Sequence, residues 1–227
     1  MEINISSFIN QESSITSIIC NEKYKLSFIE SNMSYISLDI NNYYQDTILE
    51  ILIDEIKNRK LEIRNPRKRI LNSLKIVGLD ESYLRRSIRT LSTTEKKLIQ
   101  LAIGLLSNPE ILILDNFFRN IDLKLEKKLI MLFQRLKDNY NKTIILLNND
   151  LDKVYKYSDY FIIIKNSNIL LEGNFKGIVS KIKLLKDNNI YIPDMLEFTY
   201  LVREKKKVNI DYYKDIRDLI KDIYKHV

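Results

Sequence analysis

Cysteine and histidine are almost missing from this chain: Cys20 is the only thiol, and His226, next to the last residue, is the only imidazole. One cysteine cannot close an internal disulfide, and a lone histidine at the end of the chain excludes His-ligated metal sites and Ser-His or Cys-His catalysis inside the fold. Glycine is scarce too, with four residues at positions 78, 104, 173 and 177. A phosphate-cradling loop uses glycines so that successive N–H groups can turn inward around the anion. No Gly-rich cradle is therefore expected ahead of Gly78. No run of about 18 uncharged apolar residues occurs, so no membrane-spanning helix is expected. The opening MEINISSFINQE lacks the basic-then-apolar order of a secretion signal, from which a cytoplasmic chain is expected.

What is present describes an ordinary globular chain. At 227 residues, with 45% hydrophobic and 30% charged side chains, it has the length for one large domain or a domain with a subdomain. The net charge of +7 raises the question of a polyanionic partner. The lysines, however, are scattered along the whole length, and the densest basic cluster, residues 203–207, has a glutamate inside it. That pattern reads as a solvated surface, and no nucleic-acid partner is expected.

The most informative stretch covers residues 91–122, LSTTEKKLIQLAIGLLSNPEILILDNFFRNID. Ser92 and Glu95 form a capping-box pair ahead of an apolar run, so a helix starts there. Leu98, Leu101, Ala102 and Leu105 fall on one face; Asn108 and Pro109 close the helix. Residues 111–114 are a continuous apolar run suited to a strand buried on both sides, with Asp115 at its carboxyl end. Open α/β sheets place their ligand sites at such ends.

This block resembles the signature and Walker B region of ABC-type ATPases, whose family form is LSGGE, a helix, a short apolar strand, Asp-Glu and a D-loop. Here the signature is Leu91, Ser92, Thr93, Thr94 and Glu95, the Walker B carboxylate is Asp115, and the D-loop ends in Asn120, Ile121 and Asp122. The family's general-base glutamate is replaced by Asn116. Under the same resemblance the strand at residues 15–19 feeds the phosphate loop, whose eight positions fall on residues 20–27. Cys20, Lys25 and Leu26 stand where the family has Gly, Gly and Lys; only Ser27 matches. Lys25 and Ser27 are the remaining phosphate-contact candidates. The Q-loop glutamine falls on Leu38 and the switch histidine on Asn149.

The rest of the chain follows in order. Residues 47–90 read as helices, with Ile48, Leu49, Leu52 and Ile56 on one face and Ile70, Leu71, Leu74 and Val77 on another, closed by Gly78. Leu125, Leu129, Leu132, Phe133 and Leu136 form the stripe of a further helix, and residues 143–147 a second buried strand. Residues 160–173 read as a β-hairpin. The tail, with a leucine-rich helix, an entry at Ile192 and Pro193, a long helix and a last short one, is similar to the C-terminal extension of energy-coupling factor (ECF) transporter ATPases.

The expected fold is α/β: a P-loop NTPase-like, mostly parallel sheet flanked by helices. It carries an ABC-type helical subdomain at about residues 47–90, a reduced antiparallel β-subdomain and, after an ATPase-like domain over residues 1–178, a helical extension over 179–227. The resemblance implies an ATP-binding subunit of an ECF-type importer, on the cytoplasmic face of the membrane, paired with a second ABC ATPase subunit and a transmembrane coupling protein. With the glycines, the phosphate-loop lysine, the general base and the switch histidine all replaced, a degenerate copy without independent hydrolysis is expected. ATP and Mg²⁺ would be held weakly or shared with the partner, Asp115 holding Mg²⁺ through water and Ser92, Thr93, Thr94 and Glu95 completing a site in trans. The alternative is an ABC-like scaffold or regulator that binds no nucleotide.

Overall fold

In the computed structural model, residues 2–4, 13–20, 25–27, 33–36, 47–149, 151, 152 and 154–225 are described. The chain begins with strands β1 (Glu2–Asn4), β2 (Ile15–Cys20), β3 (Lys25–Ser27) and β4 (Met33–Ile36). Helices α1 (Ile48–Asn58) and α2 (Pro66–Ile76) and two 3-10 turns, Glu81–Arg85 and Ile88–Thr90, come next. Then follow α3 (Thr93–Leu105), β5 (Ile111–Asp115), α4 (Leu123–Tyr140) and β6 (Thr143–Asn148). The hairpin β7 (Tyr160–Lys165) and β8 (Asn168–Asn174) precedes α5 (Phe175–Val179), α6 (Ile182–Asp187), α7 (Asp194–Lys206) and α8 (Ile216–Ile223). Two compact units result, one made of residues 4–13 and 26–145, the other of residues 1–3, 14–25 and 146–227.

In the first unit the strand order is β4-β5-β6, with residues 143–145 of β6. Strands β4 and β5 run parallel, Met33 opposite Ile111 and Ile36 opposite Leu114. The four α-helices of this unit each start where a side chain accepts from a free N–H group. Thr47 and Glu50 form a capping box on α1, and Asn65 with Pro66 at the first helical position opens α2. Helix α2 ends in a Schellman motif, Gly78 at φ 82° with Gly78 N–H on Lys75 O and Leu79 N–H on Leu74 O. Asn141, also left-handed at φ 51°, closes α4.

The apolar faces depart from the sequence reading in three places. Helix α1 buries Ile48, Ile51, Leu52 and Ile56 while Leu49 is half-exposed, and α2 buries Ser73 in place of Leu71. Helix α3 is buried over most of its surface from Ile99 onward, and Leu98 is the half-exposed residue. A helix enclosed on several sides has no single stripe for a periodicity to reveal. The stripe expected for α4 is buried as read, together with Ile130.

Gly104 shows how closely α3 lies on β4. A Cβ there would stand 2.4 Å from Ile36 Cδ1, 2.9 Å from Ile36 Cγ1 and 3.3 Å from Ser34 Oγ. Gly104→Ala should therefore destabilise the chain by about 1–2 kcal/mol despite alanine's better helix propensity. A lowered urea midpoint checks this; an unchanged or raised one contradicts it.

In the second unit the order is β6-β2-β7-β8, with residues 146–148 of β6. Strand β2 is parallel to β7, Thr16 opposite Tyr160, and β7 is antiparallel to β8. Asn166 at φ 50° and Ser167 at φ 62° make the two-residue turn of the hairpin. The helices of the tail fall where the sequence placed them, α7 starting directly after Pro193.

Candidate functional site

One candidate element is the amino end of α3. Ser92 N–H donates to Glu95 Oε2 at 2.8 Å, the Ser92 hydroxyl donates to the same oxygen at 2.8 Å, and Glu95 N–H donates to Ser92 Oγ at 3.2 Å. Glu95 Oε1 accepts from Tyr83 OH at 2.7 Å and from Arg86 Nη1 at 2.8 Å. The Arg86 guanidinium also lies 4.6 Å from the centre of the Tyr83 ring. The Ser92 N–H, then Tyr83 and the Ser92 hydroxyl, hold the Glu95 carboxyl down to about 2. The signature glutamate is thus a fixed anion that organises the helix end, and the Ser92 hydroxyl is engaged by it. Thr93 is exposed and Thr94 half-exposed.

A separate candidate element is the carboxyl end of β5. Asp115 Oδ2 accepts from Tyr35 OH at 2.7 Å, and Asp115 Oδ1 accepts from Asn116 Nδ2 at 2.8 Å. Burial, reinforced by the bond to Asp115, pushes the Tyr35 hydroxyl well above its ordinary range. Asn116 itself is left-handed, at φ 47°. Asparagine tolerates that backbone better than other residues with a Cβ. A glutamate at this position would bear that strain and replace a donor to Asp115 by a second negative charge.

The loop from β5 to α4 is held by groups that helical periodicity left in the background. Lys97 is only 3% exposed, and its Nζ donates to Phe117 O at 2.8 Å and to Arg119 O. Burial, with a further contribution from the Arg119 charge, pushes the Lys97 ammonium down to about 8. Phe117 and Phe118 are both 2% exposed and meet Phe133 of α4 with ring centres 6.2 and 6.0 Å away. Asn120 is left-handed at φ 58°, and Asp122 caps α4 by accepting from Leu125 N–H at 2.8 Å. Lys97 had a signal in the sequence: it lies four residues before Leu101 and eight before Leu105, on a face of α3 that packs inward. Tyr35 had none, because its partner is 80 residues away.

Asp115, Asn116, Ser92 and Glu95 all belong to the first unit. Asn149 belongs to the second, exposed at the bend after β6. Lys25 and Ser27 lie at the two ends of strand β3. Residues 21–24, Leu38 and His226 lie outside the described residues. Among the described residues no cluster of three or more Asp, Glu, His or Cys side chains could hold a metal. Asp115 is a half-buried single carboxylate, which suits a water-mediated contact to Mg²⁺ and not an all-protein cage.

Residues 7–119 match the ABC transporter family model. The chain is also similar to curated ABC transporter proteins. It is 29% identical over 188 residues to the energy-coupling factor transporter ATP-binding protein EcfA3 of Oenococcus oeni, covering 82% of this chain and 64% of that protein. It is 28% identical over 155 residues to EcfA2 of Enterococcus faecalis, covering 68% of this chain and 54% of that one. The chain thus spans between half and two thirds of the length of these relatives. Among solved structures, cbiO1 of Clostridium perfringens, part of the ABC transporter complex cbiONQ, superposes with a TM-score of 0.64 at 19% identity, over 84% of this chain and 88% of that one. The α/β fold with its mostly parallel sheet and flanking helices is that of ABC cassettes. Among the described residues no helix is long and apolar enough to cross a membrane.

Proposed function

We propose that this chain fills the ATP-binding-subunit position of an ECF-type ABC importer as a degenerate copy. It pairs with an intact ATPase subunit and couples to a transmembrane protein at the cytoplasmic face of the membrane. Residues 1–178 serve as the cassette, with the helical subdomain at 47–90, and residues 179–227 as its extension. The observation that carries this reading is the state of Asp115: the Walker B carboxylate keeps its place at the end of β5, but the side chain beside it is the amide of Asn116, which donates to it. An amide cannot take a proton from water, and loss of a general base costs about 10²–10⁴ in rate. Likeness to EcfA proteins supports the transporter class. In this arrangement the partner supplies the phosphate loop and the base. This chain supplies the amino end of α3, where Thr93 and Thr94 N–H and the Ser92 hydroxyl meet an anion. ATP and Mg²⁺ are held mainly by the partner at that shared site, while Asp115 would contact Mg²⁺ through water only in this chain's own weakened site.

A non-nucleotide scaffold is the second reading, and one observation favours it: Ser92 and Asp115 are each satisfied within the chain, by Glu95 and by Tyr35 with Asn116. Hydrolysis measured on the isolated chain and on its complex with an intact ECF-type ATPase subunit tests the proposal. Turnover is expected from the complex alone. Steady turnover by the isolated chain overturns the degenerate assignment, and a complex that hydrolyses no faster than the partner alone favours the scaffold.

A further inference from the structure

Away from the α3 amino end and Asp115, the first unit holds a cavity of about 430 Å³ between the ends of α2, α3 and α4. Arg69 and Lys75 of α2, Arg135 of α4 and Lys142 just beyond it line this cavity. Among the described residues no ion pair involves any of the four. Four cations around one small cavity repel one another, and chains seldom gather them without an anion to neutralise.

The two half-buried cations are anchored by main-chain carbonyls. Arg69 Nε donates to Leu106 O at 2.7 Å and Nη2 to Leu105 O at 3.3 Å, while Lys142 Nζ donates to Asn108 O at 3.2 Å. These bonds leave guanidinium and ammonium donors over for a ligand. Burial lowers Arg69, and it lowers Lys142, where Glu110 opposes the effect and the Arg69 charge adds to it. The remaining lining is mixed: Leu105 and Leu136 are buried and apolar, and Tyr140 is 62% exposed. The volume is in the range of small-molecule sites, about 300–1,000 Å³.

We propose that this cavity binds a phosphorylated small molecule, its phosphate dianion between Arg69, Lys75, Arg135 and Lys142 and its apolar or aromatic body against Leu105, Leu136 and Tyr140. The same phosphate chemistry could be offered by a lipid headgroup, and the experiment separates the two sources. This inference is independent of the transporter reading.

The test titrates phenyl phosphate into the full chain by calorimetry at low salt. Lys75→Gln with Arg135→Gln is the decisive variant, because among the described residues neither side chain makes a hydrogen bond and both are exposed, so its fold should hold. Roughly tenfold weaker binding is expected from loss of two charge-assisted contacts. Binding should also fade at about 1 M salt, where the Debye length is roughly 3 Å. Arg69→Gln should weaken binding further, with urea unfolding used to separate loss of its carbonyl bonds. If phenyl phosphate gives no heat but the chain sediments with phosphatidylglycerol vesicles and the double variant does not, the phosphate comes from a lipid. Equal affinity in the double variant, or no response to either probe, overturns the site.

Discussion

In a complex of this chain with an intact ATPase subunit, Ser92→Arg is expected to lower ATP hydrolysis by on the order of 10²–10³, the usual cost of losing a preorganised donor to transition-state charge. Glu95 N–H already goes to Ser92 Oγ, and Lys96 N–H to Ser92 O. Thr93 and Thr94 N–H are the two helix-end donors left for an anion from the partner's side. The Ser92 hydroxyl is the third, and to reach a phosphate it must exchange the Glu95 carboxylate for one. Thr93 and Thr94 crowd that approach with β-branched bulk, so the site starts from weakened binding. An arginine side chain fills the approach, cannot cap the helix and removes the hydroxyl. Loss of the cap alone costs about 1 kcal/mol of stability, which urea unfolding measures separately. Ser92→Ala keeps the approach open and should lose less activity than the arginine variant. Hydrolysis by the complex that is indifferent to Ser92→Arg removes the trans role and leaves the scaffold.

Much of this architecture could be read from the chain before any coordinates. The capping box at Ser92 and Glu95, the strand that ends on Asp115, the stripe of α4 and the hairpin read over residues 160–173 are local features, and local sequence carries them. The failures share one cause. Tyr35 reaches Asp115 across the β4–β5 pair, Lys97 reaches the loop after β5, and Arg69 reaches the carbonyl end of α3; each depends on chain segments brought together only by the fold. A lysine within an amphipathic helix normally reads as a solvent residue. Lys97 is buried because its ammonium finds two main-chain carbonyls, and helical periodicity says nothing about such partners. The phosphate loop is a different case. The missing glycines are visible in composition, while residues 21–24 lie outside the described part of the structure.

Replacing Lys97 by methionine should flatten the pH dependence of stability between pH 8 and 10. In the folded chain burial, and then the Arg119 charge, hold the ammonium at about 8, against an ordinary 10.5. Below pH 8 both folded and unfolded chains keep the proton, so the cost of burying the charge is borne in full. Between about 8 and 10.5 the folded chain releases the proton while the unfolded one retains it, and stability rises with pH. A separation of about 2.5 pH units corresponds to a gain on the order of 3 kcal/mol at the top of that window. Lys97→Met titrates nothing there. Tyr155, pushed up to about 12 by burial, and Tyr35, raised further, act in the opposite sense above pH 10 but are common to both proteins and cancel in the difference. At neutral pH the methionine relieves the buried charge yet leaves Phe117 O and Arg119 O without their donor, each roughly 1–3 kcal/mol if no water replaces it. Urea unfolding at pH 7.5 and pH 10 on both proteins decides the matter: a wild-type gain that the variant matches would mean that Lys97 is not the buried cation holding this loop. Because residues 116–120 also set the Asn116 amide against Asp115, the same variant should loosen that contact, seen as faster amide exchange across the loop with the rest of α4 unchanged.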